Sequence, residues 1–173
     1  MSEHRATICW DRVGSALEFT QGTYSREHTW TFDGGAVIQA SPSPSVVPVP
    51  FSNPSFVDPE EAFVAAVSSC HMLTYLYLAS RRGFQLERYW DQAVGQMTKN
   101  DHGVPWVSHI VLHPSISYVG EGLPTPEIEA QLHREAHEQC FIANSIKTLV
   151  TIGQAGGAAV PPLDQSRPAT SSR

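Results

Sequence analysis

Apolar positions along this chain fall into three regimes. Near the N-terminus they alternate. Residues 5–11 (RATICWD) place Ala6, Ile8 and Trp10 on one face and predict a strand with Cys9 on the other. Residues 27–32 and 36–40 flank Asp33-Gly34-Gly35, the usual turn chemistry, and predict a hairpin. The second regime, residues 41–59, carries six prolines, a density that excludes helix and central strand alike. It predicts an extended loop, and such loops often border functional sites.

The third regime is helical. Asp58 is a suitable N-cap, Pro59 fits the first helical position, and Glu60 and Glu61 fall in the first turn, where the helix dipole favours acids. Asp58 and Glu61 also form a D-x-x-E capping box. The helix is predicted to run to about Arg82, with Gly83 as its stop. Phe63, Val64, Ala66, Val67, Met72, Leu73, Leu76 and Leu78 surround much of it. A helix apolar on most sides is buried on most sides, so in a short chain it is either central or shared with a second subunit.

Beyond it, residues 88–98 predict a strand, residues 99–103 (KNDHG) a turn, and residues 104–119 another strand. Thr125-Pro126-Glu127 repeats the cap, proline, acid order and opens a second helix with Ile128, Leu132, Ala136 and Cys140 at helical spacing. Residues 145–153 (SIKTLVTIG) are expected to begin as helix and end as strand. The order β-β-β-α-β-β-α-β argues an α+β fold. One domain is expected over residues 1–153. Residues 154–173, rich in Gly, Ala, Pro and Ser, are expected to be a disordered tail.

Composition narrows the function classes. At 173 residues the chain suits one domain plus a tail. A net charge of −6 without a basic block argues against nucleic acid and anionic membrane as partners. No basic start precedes an apolar run, so no secretory signal is expected. Residues 62–79 are apolar-rich but broken by Ser68, Ser69, His71 and Thr74, a poor membrane span. A soluble, cytoplasmic protein is the expectation.

There are three cysteines, Cys9, Cys70 and Cys140, and none is in a C-x-x-C pair. An odd, low count does not suit a disulfide framework. In a reducing compartment each thiol is either a small buried hydrophobe or a reactive group. For Cys9, a buried strand thiol is the expected state. Cys70 and Cys140 lie on the two predicted helices, and only the fold could bring them together. One alternative is a metal set: His133, His137 and Cys140 share one helix face, and Cys70 and His71 could join them. A further candidate is Arg26 with Glu60, since a guanidinium fork can hold a thiolate while a carboxylate fixes its direction. The plain reading of that pair is a surface arginine and a helix-dipole acid.

The segment DPEEAFVAAVSSC resembles the N/D-P-E-[QE]-L-[FL]-x-A-[AG]-x-x-[AGS]-C segment of the OsmC/Ohr family, the osmotically inducible and organic hydroperoxide resistance proteins. The Glu60 to Cys70 spacing agrees without a gap. YSREHTWTFDGG, SSCHMLTYLYLA and AHEQCFIANSI are similar to the OsmC-like branch, and the resemblance covers nearly all of residues 24–152. It implies an OsmC-like fold of antiparallel sheets wrapped around two central helices in an intertwined homodimer. It implies a thiol-dependent peroxidase acting on organic hydroperoxides, and on hydrogen peroxide as a lesser substrate. Cys70 would attack the peroxide, Cys140 would resolve the sulfenic acid, and Glu60 would orient Arg26 toward the Cys70 thiolate. His28 and Arg5 are the other basic groups that could take the arginine's part. No bound cofactor is implied; an external dithiol, in this family often a lipoylated protein, would reopen the disulfide. The alternatives from other classes are the metal-binding protein and a non-catalytic small-molecule binder. The chain departs from the family at His71, where Phe often follows the first cysteine, and at Phe141, where Pro often follows the second.

Overall fold

The fold is described by a computed structural model, covering residues 2–153. The expected tail at residues 154–173 lies outside the described residues. The chain divides into two compact units, Met1–Ala66 and Val67–Arg173, with the boundary inside one long helix.

The first unit opens with β1 (Ala6–Cys9) and a short helix α1 (Ala16–Thr20), followed by β2 (His28–Phe32) and β3 (Val37–Ala40). The strands form one antiparallel sheet in the order β1-β2-β3. The expected hairpin is present: Gly35 takes φ +85°, and its N–H donates to the Phe32 carbonyl. Two expectations fail here. The sequence reading passed over α1, although Ser15 and Glu18 cap it reciprocally. Cys9 is exposed, not buried, because β1 is an edge strand exposed on both faces, with Ile8 58% exposed. The proline-rich loop is held by its own polar groups. Ser41 Oγ accepts the Asn53 N–H, Asn53 Nδ2 donates to Glu27, and Ser52 Oγ donates to the Val47 carbonyl.

Helix α2 (Pro59–Arg81) starts as expected: the Glu61 N–H donates to Asp58 Oδ1 and the Asp58 N–H to Glu61 Oε2. It ends at Gly83, φ +83°, where the Phe84 N–H reaches the Ala79 carbonyl and the Gly83 N–H that of Ser80. These two bonds close the helix with the left-handed residue that glycine supplies without strain.

The second unit contains β4 (Gln85–Asp91), β5 (Val94–Lys99), β6 (Pro105–Leu112), β7 (Pro114–Val119), α3 (Pro126–Gln139), a 3-10 turn at Ala143–Ser145, and β8 (Leu149–Ile152). Each of the two strands expected here is in fact two. The chain turns at Gln92-Ala93 and again at His113-Pro114, so that β4 pairs with β7 while β5 pairs with β6. Strand β8 joins β6 in parallel, which departs from the all-antiparallel expectation. No helix begins at Ser145: Ile146 is already extended. The core of this unit is Tyr75, Ala79, Leu132 and Ala136, where α2 meets α3, flanked by Leu86, Tyr89 and Ile116 from the β4-β7 pair. Arg82 Nη2 ties the end of α2 to both carboxylate oxygens of Glu135 at 2.7 Å.

By length and composition alone α2 could cross a bilayer, with a mean hydropathy of 1.4 in its most apolar window, more than the sequence reading allowed it. Two of its polar side chains, however, are bonded to other side chains of the protein. Ser68 Oγ donates to Asp91, and His71 meets His133. Only 22% of that window is buried within the chain, and Leu73 and Tyr77 are each 61% exposed.

Candidate functional site

Cys70 lies on α2, half-buried. Cys140 is the C-cap of α3 and is wholly buried. Both are free thiols, and both sulfurs face the turn where the chain leaves α3. At Cys140 the backbone turns extended (φ −69°, ψ 114°), and the next N–H groups are released from helical bonding. Two of these point at sulfur: Ile142 N–H donates to Cys70 Sγ at 3.5 Å, and Ala143 N–H to Cys140 Sγ at 3.4 Å. Asn144 fixes the turn, its side-chain amide donating to the Glu138 and Cys140 carbonyls at 2.9 Å each. The sequence reading missed Ile142, Ala143 and Asn144. Two of the three act through backbone groups that every residue type carries; only the asparagine after a helix end was a readable signal.

The two thiols are unequal. Burial pushes Cys140 up to about 11, and the neighbouring Cys70 adds to the rise. Cys140 therefore stays protonated at neutral pH. Cys70 is the more accessible sulfur and the one that receives an N–H from outside its own turn. Such a pair can pass through a sulfenic acid to a disulfide, provided an oxidant reaches Cys70.

His71 does not join this site. It lies about 100° around the helix from Cys70, on the buried face formed by Val67, His71, Tyr75 and Ala79. Its Nε2 meets His133 Nδ1 at 3.1 Å, with the rings stacked 5.4 Å apart, and Tyr75 lies 4.4 Å from His133. Burial, and then the charges His133 and His137 would carry, bring His71 down to about 4; burial brings His133 to about 4 as well. Both imidazoles are neutral at neutral pH. His71 Nδ1 is buried without a hydrogen-bond partner among the described residues. Among the described residues, no group of three or more His, Cys, Asp or Glu side chains is placed to hold a metal ion, so Cys70, His71, His137 and Cys140 are not assembled as one ligand set.

Arg26 and Glu60 are not paired among the described residues. The Arg26 guanidinium donates to the carbonyls of Tyr24 (3.0 Å) and Gly22 (3.2 Å) and lies 4.2 Å from the centre of the Tyr24 ring. Of the other basic candidates, Arg5 pairs with Glu3 and His28 Nδ1 meets the Arg26 carbonyl.

The family described as OsmC-like protein matches residues 52–154, more than half of the chain. The chain belongs to the OsmC-like family. This OsmC-like chain is similar to an OsmC-like protein of unknown function from Vibrio cholerae, at 49% identity and a TM-score of 0.85, covering 89% of this chain and 99% of that one. It shares its fold with an organic hydroperoxide resistance protein from Elizabethkingia anophelis (18% identity, TM-score 0.61, 89% and 97% covered). It shares it also with the organic hydroperoxide resistance protein OsmC from Legionella pneumophila (17% identity, TM-score 0.60, 88% and 97% covered). No curated protein matches it.

Proposed function

We propose that this OsmC-like protein is a thiol peroxidase that reduces organic hydroperoxides. The observation that carries the proposal is two unequal thiols at one turn, a half-buried Cys70 bonded by the Ile142 N–H and a buried, protonated Cys140 bonded by the Ala143 N–H. The Cys70 thiolate attacks the terminal peroxide oxygen. The O–O bond breaks, the alkoxide leaves and takes a proton to become the alcohol, and Cys70 becomes a sulfenic acid. The Cys140 sulfur then attacks that sulfur. Its thiol proton and the sulfenic hydroxyl leave together as water, and a disulfide remains. An external dithiol reduces the disulfide and is itself oxidised, so the cycle needs no bound cofactor.

Glu60 and Arg26 keep in this proposal the parts that the family resemblance assigns, the carboxylate orienting the guanidinium. Their support is that resemblance alone. The exposed apolar face of α2 supports a homodimer with that helix at its centre. A reducing cytoplasm is the compartment in which such a pair is kept available.

The test is consumption of cumene hydroperoxide in the presence of dihydrolipoamide. The expected result is that Cys70→Ser falls to the uncatalysed rate with its fold intact by circular dichroism. A folded Cys70→Ser protein that consumes the peroxide at the native rate overturns the proposal.

A further inference from the structure

A second concave site lies within the first unit. It is a cleft of about 410 Å³ walled by Trp10, Phe19, Tyr24, Pro42 and Pro59, with Arg26 and His28 also facing it. The three aromatic rings form one cluster, with Trp10 and Phe19 centroids 5.7 Å apart, Trp10 and Tyr24 5.5 Å, and Phe19 and Tyr24 4.8 Å. Trp10 is fixed in it by its indole N–H, which donates to the Ser25 carbonyl at 2.9 Å.

The polar groups are what define the ligand. A guanidinium has five N–H donors. Arg26 spends one from Nη1 on the Tyr24 carbonyl and one from Nη2 on the Gly22 carbonyl. The other three have no acceptor among the described residues. These bonds and the Tyr24 ring beneath hold the fork in place, so little side-chain entropy is lost when it binds. Because a carbonyl can only accept, the His28 Nδ1 bonded to the Arg26 carbonyl carries the hydrogen. His28 Nε2 is then left without a partner among the described residues.

We propose that this cleft binds a small aromatic carboxylate, its flat body against the aromatic wall and its carboxylate on the unspent N–H groups of Arg26. A cation would meet the guanidinium at close range, which argues against an aromatic cage for ammonium ligands. A neutral apolar body would fill the wall but leave the half-buried donors unanswered. A carboxylate accepts the fork in a bidentate manner. The inference goes beyond the peroxidase proposal; it shares Arg26 with that proposal and requires nothing of Cys70.

The experiment is isothermal titration calorimetry of the full chain with 2-naphthoate and with its neutral counterpart 2-naphthalenemethanol. Native protein is expected to bind the carboxylate more tightly, on the order of tenfold, as a charge-assisted bond allows. Arg26→Gln is expected to bring the two affinities together. Phe19→Ala, at a position already 44% exposed and so safe for the fold, is expected to weaken both ligands alike. Equal binding of the two ligands by native protein overturns the proposal, as does absence of binding or discrimination that survives in Arg26→Gln. Because the comparison of ligands on native protein needs no variant, a misfolded Arg26→Gln does not rescue the idea. Cumene hydroperoxide turnover of native protein and of Phe19→Ala reads the peroxidase proposal separately, because neither sample alters Cys70, Cys140, Glu60 or Arg26.

Discussion

The buried imidazole pair makes the stability of this chain fall in mild acid. His71 and His133 are neutral in the fold and titrate near 4, whereas an unfolded imidazole titrates near 6.5. Between those values the unfolded chain binds more protons, so stability is whole above about pH 6.5 and drains as pH falls toward about pH 4. Near pH 4.5 the difference amounts to roughly 2.5 kcal/mol for one imidazole. The two rings lie in contact, so once one takes a proton the other resists a second. Tyr75, pushed up by burial and its Tyr118 bond, stays neutral throughout. The assay is urea unfolding near pH 7 and near pH 4.5, comparing native protein with a double variant, His71→Phe with His133→Leu. Removing both partners leaves neither nitrogen orphaned, so the double variant is expected to fold. Carboxylates elsewhere titrate equally in both proteins and cancel in the comparison. Native protein is expected to lose about 5 kcal/mol more than the double variant over that interval, about 2.5 for each imidazole. Equal losses would refute the reasoning, because the imidazoles would then not be the acid-labile element.

Three further outcomes follow from particular contacts. Cys140→Ala is expected to react once with hydroperoxide and stop, holding one added oxygen on Cys70 that dimedone captures and intact mass reads; sustained turnover would remove Cys140 from the cycle. Tyr89 buries a hydroxyl without a partner among the described residues, so Tyr89→Phe is expected to leave stability unchanged or raise it by up to about 1 kcal/mol in thermal unfolding; a loss of that size would point to a bound water. Leu73→Glu places a charge on the exposed apolar face of α2 and is expected to shift the protein to monomer in analytical ultracentrifugation, while an unchanged dimer would place the interface elsewhere.

What the sequence made legible was local. The start of α2 could be read from Asp58, Pro59, Glu60 and Glu61 because a cap is decided within four residues, and the same holds for Thr125 at α3. Helix α1 carried the same kind of signal in Ser15 and Glu18, yet five residues give too little periodicity to draw attention. The corners at Gln92-Ala93 and His113-Pro114 were hidden because alternation continues across them, and the choice of partner strand is non-local. The parallel β6-β8 pair has the same origin, joining segments about 40 residues apart. The placing of Cys70 and Cys140 at one turn was likewise unreadable from composition. It entered through family resemblance, and the fold aims the adjacent N–H groups of Ile142 and Ala143 at the two sulfurs.

Cys70 and His71 show why adjacency in sequence misleads about a site. One step along α2 turns the side chain by about 100°, enough to separate a sulfur that meets the end of α3 from an imidazole that locks α2 against the middle of α3. A phenylalanine in the place of His71 would need no partner in the core. A histidine in the same place needs an acceptor or donor opposite, and His133 supplies one at 3.1 Å. The two histidines thus satisfy one another across one helix pair, and neither needs a role in the thiol chemistry to be explained. Their effect on that chemistry is indirect. Whatever holds α2 against α3 also holds Cys70 against the turn at Cys140, where the N–H of Ile142 meets its sulfur. Loosening the imidazole pair should therefore lengthen the sulfur–sulfur approach before it unfolds the chain, and slow disulfide closure more than the first attack on peroxide.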